Sequence, residues 1–151
     1  MRIIGGTSRG LHLVAVGDGD AKAHLRPTSD RVRESIFNLL INGGYGNPLH
    51  GARVLDVFAG TGALGLEALS RGAGTACFID NDAAAVKAIR ANLAAMGATG
   101  DVRQSPVASI GGAPRAHHLV FLDPPYGLGL ADPALSHLHE RGWIAPGALV
   151  S

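Results

Sequence analysis

Apolar and polar positions along this chain follow two rhythms, with the change near Gly51. Before it, MRIIGGTSRGLHLVAV holds two short β-prone runs around the turn-rich GGTSRG, which predicts a hairpin over 1–16. Residues 17–23 are polar and glycine-rich and read as a loop. In RPTSDRVRESIFNLL, Thr28, Ser29 or Asp30 can cap a helix whose Val32, Ile36, Leu39 and Leu40 recur at helical spacing. INGGYGNPLHG then stops that helix.

After Gly51, strands and helices alternate. RVLDVF, TACFID and HLVFLD are strand-like runs, and DVRQ is a weaker one. GALGLEALSRG is a short helix closed by Gly72. DAAAVKAIRANLAAMG is a longer helix with Val86, Ile89, Leu93 and Met96 on one stripe, ended by Gly97. ADPALSHLHERG predicts a last helix, packed on the sheet through Trp143, before GALVS begins a fifth strand. The alternation predicts an α/β fold with a doubly wound, mostly parallel sheet and right-handed crossovers. Because GALVS runs out at Ser151 inside a sheet, C-terminal strands are expected to be missing, leaving an edge exposed or covered by a partner. Residues 1–50 read as an N-terminal extension, and 51–151 as the core.

Composition narrows this only a little. A chain of 151 residues can bury a core, and its apolar, alanine- and glycine-rich make-up argues against disorder. A formal net charge of +1 gives no general case for nucleic-acid binding, so any basic surface must be local. The single cysteine, Cys77, reads as a buried strand thiol. No signal peptide and no run of about 18 apolar residues appears, which predicts a cytoplasmic protein without a membrane partner. The pairs His117-His118 and His137-x-His139 lack a completing cysteine or carboxylate set, so no metal is expected.

Chemistry concentrates at two places. VLDVFAGTGALGLEAL sets Gly60, Gly62 and Gly65 in G-x-G-x-x-G spacing between a strand and a helix. There a tight turn and free helix amides suit a polar ligand. Asp80 ends the next strand, where a carboxylate can hold ribose hydroxyls. The glycine spacing alone also fits nicotinamide dehydrogenases. Asp56, inside the first strand, instead suits a cofactor with a cationic amino group, such as S-adenosylmethionine. The second place is Asp123-Pro124-Pro125-Tyr126, a carboxylate followed by two residues that fix the backbone.

These residues resemble class I S-adenosylmethionine-dependent methyltransferases in DVFAGTGALGLEALSRGA, FID, VFLDPPY and ERGWIAPGALV. With MRIIGGTSRGLHL and RPTSDRVRESIFNLL ahead of them, the chain is similar to the bacterial RsmD family over nearly its whole length. The resemblance implies a Rossmann-like sheet with an N-terminal hairpin and helix. It also implies methylation of the exocyclic N2 amine of a guanine in 16S ribosomal RNA, with the RNA or the small ribosomal subunit as partner and a monomeric enzyme. It assigns the cofactor site to Asp56, Phe58, Ala59, Gly60, Thr61, Gly62, Asp80 and Asn81, and catalysis to Asp123, Pro124, Pro125 and Tyr126. Relatives usually carry an acidic residue after the third strand, where this chain has Ser105 and Pro106. They often carry a basic residue at the place of His12.

Arg9, Arg26, Arg31 and Arg33 read on spacing alone as a solvated face beside Asp30 and Glu34. With the resemblance they read as a basic patch for RNA phosphates. Alternatives remain in three classes: other amino-group methyltransferases (DNA adenine or protein glutamine), a nicotinamide-dependent oxidoreductase, and a non-catalytic RNA-binding module.

Overall fold

A computed structural model of the chain describes residues 1–14, 29–42, 48–124 and 129–150. The loop expected over 17–23, Arg26, Thr28, part of the break after the first helix, Pro125, Tyr126 and Ser151 lie outside the described residues. Five parallel strands form one sheet: β1 (Arg53–Val57), β2 (Thr75–Asp80), β3 (Asp101–Gln104), β4 (His117–Leu122) and β5 (Ile144–Val150). Their order, β3-β2-β1-β4-β5, puts β1 at the centre and reverses direction between β1 and β4. Such a switch point opens a crevice at the carboxyl ends of the central strands.

Helices cover both faces, which is why the central strands are apolar at nearly every position. One face carries Val54, Phe78, Leu119 and Phe121. It packs against α2 (Ala63–Ser70), α3 (Ala83–Met96), α1 (Asp30–Asn42) and the N-terminal Ile3 and Leu13. The other carries Leu55, Val57, Cys77, Ile79 and Val120 under α4 (Ala131–Glu140) and Trp143. Trp143 is fully buried, stacks on His117 at 5.6 Å between ring centroids, and donates its indole N–H to the Gly111 carbonyl. It thus joins α4 to the sheet as its sequence position predicts. Cys77 is buried in β2, and burial first pushes its thiol up to about 12, so it stays protonated.

Local signals set the helix ends. Asp82 caps α3 by accepting the Ala84 amide at 3.1 Å, and Gly97 ends it with φ 65°. Ser29 accepts the Val32 amide at 3.2 Å ahead of α1. Residues 1–14 form a minimal antiparallel pair, with one bridge between Arg2 and His12 and amide bonds from Ile3, Gly10 and Leu13. The expected hairpin is present over the described residues 1–14. The fifth strand begins at Ile144, earlier than GALVS, with an irregular register against β4 between His117 and Leu119.

One expectation is corrected. Val32 and Leu39 do not line the buried side of α1; they are 51% and 58% exposed. The buried stripe is Arg33, Phe37 and Leu40, one step round the helix. The reason is an ion pair: Arg33 Nε donates to Glu67 of α2 at 3.1 Å, with both side chains wholly inaccessible, and Phe37 follows it against Phe121. Among the described residues no helix is long and apolar enough to cross a membrane.

Candidate active site

Three carboxylates meet at the carboxyl edge of the sheet. Asp56 lies level with Phe78 on β2 and Phe121 on β4, so Asp80 and Asp123 stand two residues further along their strands. Side chains alternate along a strand, and this spacing puts all three on the face covered by α1, α2 and α3. Asp56 is 2% exposed and accepts the Gly65 amide at 3.0 Å. Burial raises its pKa to about 8, opposed by the Gly65 amide and reinforced by the charges of Asp80 and Asp123. Asp80 is also shifted upward, first by burial.

Between Asp56 and α2 the backbone turns sharply. Phe58, a bulky residue, takes φ 57°, and Gly60 and Gly62 take φ 59° and 79°. Positive φ at a ring-bearing side chain is costly and persists only where the surroundings enforce it. Here Ala59 donates to the Ile79 carbonyl at 3.1 Å, and Gly60 donates to Asp80 Oδ2 at 2.9 Å. The other oxygen of Asp80 accepts the Asp82 amide at 2.9 Å. Asp80 therefore ties the glycine turn to the start of α3 and remains at the rim. Asn81 is exposed beside it, and Ser105 donates its amide to the Asp80 carbonyl at 3.1 Å. Gly65 has a packing role, because a Cβ there would lie 2.4 Å from the Phe78 ring.

Asp123 is exposed at the end of β4, and Pro124 is half-buried after it; Pro125 and Tyr126 lie outside the described residues. The structure thus brings Asp56, the turn 58–62, Asp80 and Asp123 to one rim. It does not gather the four arginines there. Arg31 is exposed at the start of α1, and Arg26 is outside the described residues. Arg9 follows Thr7 and Ser8, whose amides bond Ser70 at the far end of α2 (Thr7 to the carbonyl, Ser8 to Oγ), about 12 Å of helix from the turn. Arg33 is a correction: it is wholly buried, bonded to Glu67, Asp30 and the Arg2 carbonyl, and closed to phosphates.

Sequence reasoning missed the polar residues that seat the N-terminal pair on α2 and α3. Glu67 accepts the amides of Ile4 and Gly5 at 2.8 and 2.9 Å, besides Arg33 and Arg71. Ser70 donates to the Gly5 carbonyl at 2.6 Å. Asn92 reaches from α3 to both Val14 and Thr61. The only signal was their position: polar residues at otherwise apolar helical registers. A groove of about 420 Å³, lined by Arg53, Cys77, Arg115, His117 and Trp143, lies at the amino edge of the sheet, opposite the three carboxylates. Strand-end geometry, not groove size, locates the site.

Comparison with known proteins agrees with that architecture. The family model described as Conserved hypothetical protein 95 matches residues 1–151. Ribosomal RNA small subunit methyltransferase D of Escherichia coli (strain K12) is 41% identical over 152 residues, covering 99% of this chain and 72% of that protein. The solved structure of yhhF from Escherichia coli superposes with a TM-score of 0.81 at 40% identity, over 99% of this chain and 78% of that one. The fold alone is shared with a Pyrococcus abyssi tRNA (uracil-54, C5)-methyltransferase in complex with S-adenosyl-L-homocysteine. That chain is 18% identical with a TM-score of 0.56, over 74% of this chain and 25% of that one. With a match over its whole length and a Rossmann-like core to go with it, the chain belongs to the Conserved hypothetical protein 95 family, the RsmD family of class I methyltransferases.

Proposed function

We propose that the protein transfers a methyl group from S-adenosylmethionine to the exocyclic N2 amine of a guanine in 16S ribosomal RNA. The observation that carries this reading is the convergence of Asp56, Asp80 and the Asp123-Pro124 corner on one rim, in a chain so similar to a ribosomal RNA small subunit methyltransferase. The donor set fits the cofactor. Asp56 is a desolvated carboxylate that gains from a cationic partner, and Asp80 stands where ribose hydroxyls meet a strand end. Phe58, Ala59, Gly60, Thr61 and Gly62 shape the turn between them, and Asn81 follows. When bound, the cofactor supplies an electrophilic methyl group on a sulfonium.

The chain supplies position and charge. A guanine amine is a weak nucleophile because its lone pair is delocalised into the ring. Asp123 accepts one amine hydrogen and raises the electron density on nitrogen, and the Pro124 carbonyl accepts the other. The two prolines hold these acceptors still, and Tyr126 stacks on a base removed from its own stack. Arg31, Arg26 and Arg9 offer charge to RNA phosphates, with Arg9 as a contact remote from the rim. Orientation and electrostatics account for the acceleration.

The test is Asp123→Ala with tritiated cofactor and small-subunit RNA. Transfer should fall on the order of 10²- to 10³-fold while S-adenosylhomocysteine binding by calorimetry stays unchanged. Full activity in this variant would remove Asp123 from the mechanism.

A further inference from the structure

The side chain of Asn92 is wholly buried on the apolar stripe of α3, between Ile89 and Leu93. Its Oδ1 accepts the Val14 amide at 2.6 Å, and its Nδ2 donates to the Val14 carbonyl at 3.3 Å. The same Nδ2 donates to the Thr61 carbonyl at 3.2 Å. Only one orientation of the amide satisfies this set, because Val14 offers one donor and two carbonyls need hydrogens. Thr61 lies in the glycine-rich turn, between two residues of positive φ, and Val14 follows Leu13, whose amide pairs with the Met1 carbonyl in the N-terminal pair. One side chain therefore holds the turn and the N-terminal extension in register. Met1 approaches the same turn, with its sulfur 3.8 Å from Thr61 Oγ1.

Glu67 and Ser70 fix the other end of the pair at the far side of α2. With that end anchored, displacement of Thr61 is felt at Val14 through Asn92. We propose that Asn92 is a positioning residue that couples the cofactor turn to the N-terminal pair, so that filling the turn steadies the surface carrying Arg2 and His12. This rests on the reading of residues 58–62 as the cofactor turn. By reciprocity, a ligand held by that surface tightens cofactor binding by the same factor.

The probe is S-adenosylhomocysteine, with binding read by calorimetry and amide hydrogen exchange read at Leu13 and Val14. In the unmodified protein, saturation should slow exchange at both amides several-fold. Asn92→Asp keeps the acceptor for the Val14 amide but turns a carboxylate toward two carbonyl oxygens. It should melt cooperatively, bind on the order of tenfold more weakly, and lose the ligand-induced slowing. Binding to the unmodified protein without slower exchange at Val14 overturns the inference alone and needs no variant. Slowing that survives in Asn92→Asp or Asn92→Ala also overturns it. No binding at all overturns both the inference and the proposed cofactor.

Discussion

Asp56 is the residue whose chemistry depends most on its surroundings. Its folded value of about 8 stands far above the ordinary carboxylate value of 3.8, so the folded state holds a proton that the unfolded state releases. The stability this contributes is fully present below about pH 4 and is lost as pH rises through about 8. A cationic amino group bound beside Asp56 favours its ionised form, so binding expels that proton. Affinity for S-adenosylhomocysteine should therefore rise between pH 6 and 8 and level off above, with proton release visible in buffers of different ionisation heat. Asp56→Asn should flatten that rise; an unchanged pH profile would separate Asp56 from the ligand. Gly65 gives a second residue-scale prediction. Gly65→Ala drives a methyl into the Phe78 ring and should cost about 1–3 kcal/mol by thermal melting. Phe78→Leu in the same chain should recover part of that loss.

Elements cohere here through a few buried polar groups as well as through apolar packing. Glu67, Arg33 and Arg71 join α1, α2 and the N-terminal pair, and Arg71 also lies 5.1 Å over the Phe37 ring. Removing one partner leaves the other charge buried, so Glu67→Gln should cost about 3–5 kcal/mol in denaturant unfolding. A Glu67→Gln protein as stable as the original would mean that the pair contributes nothing. The same elements show what the sequence could reveal. The glycine turn, Asp56 and Asp80 were legible because their spacing is local and the strand boundaries are strongly apolar. The buried face of α1 was legible only in part: Leu40 is buried and Ile36 packs on the core, but Arg33 and Phe37 were not foreseen. Val32 and Leu39 have the right period, but the face was chosen by Glu67, 34 residues away from Arg33. Asn92 was hidden for a similar reason, since a polar residue on an apolar stripe does not announce a partner on another segment.

At the scale of the molecule, the sheet order puts β1 between β2 and β4, so one rim receives the turn after β1, Asp80 from β2 and Asp123 from β4. The N-terminal pair and α1 lie on the same sheet face as α2 and α3, joined to them through one apolar core. The fold class and the parallel sheet were predictable from alternating strands and helices; the route by which residues 1–14 dock was not, because it runs through side chains rather than periodicity. The central claim is that this rim methylates a guanine amine in ribosomal RNA. Small-subunit RNA incubated with the protein and methyl-deuterated S-adenosylmethionine, then digested and mapped by mass spectrometry, tests it most directly. Deuterated N2-methylguanosine at a defined position is the predicted result. Label in adenine, in a pyrimidine ring or nowhere, with a protein that binds S-adenosylhomocysteine, would contradict it.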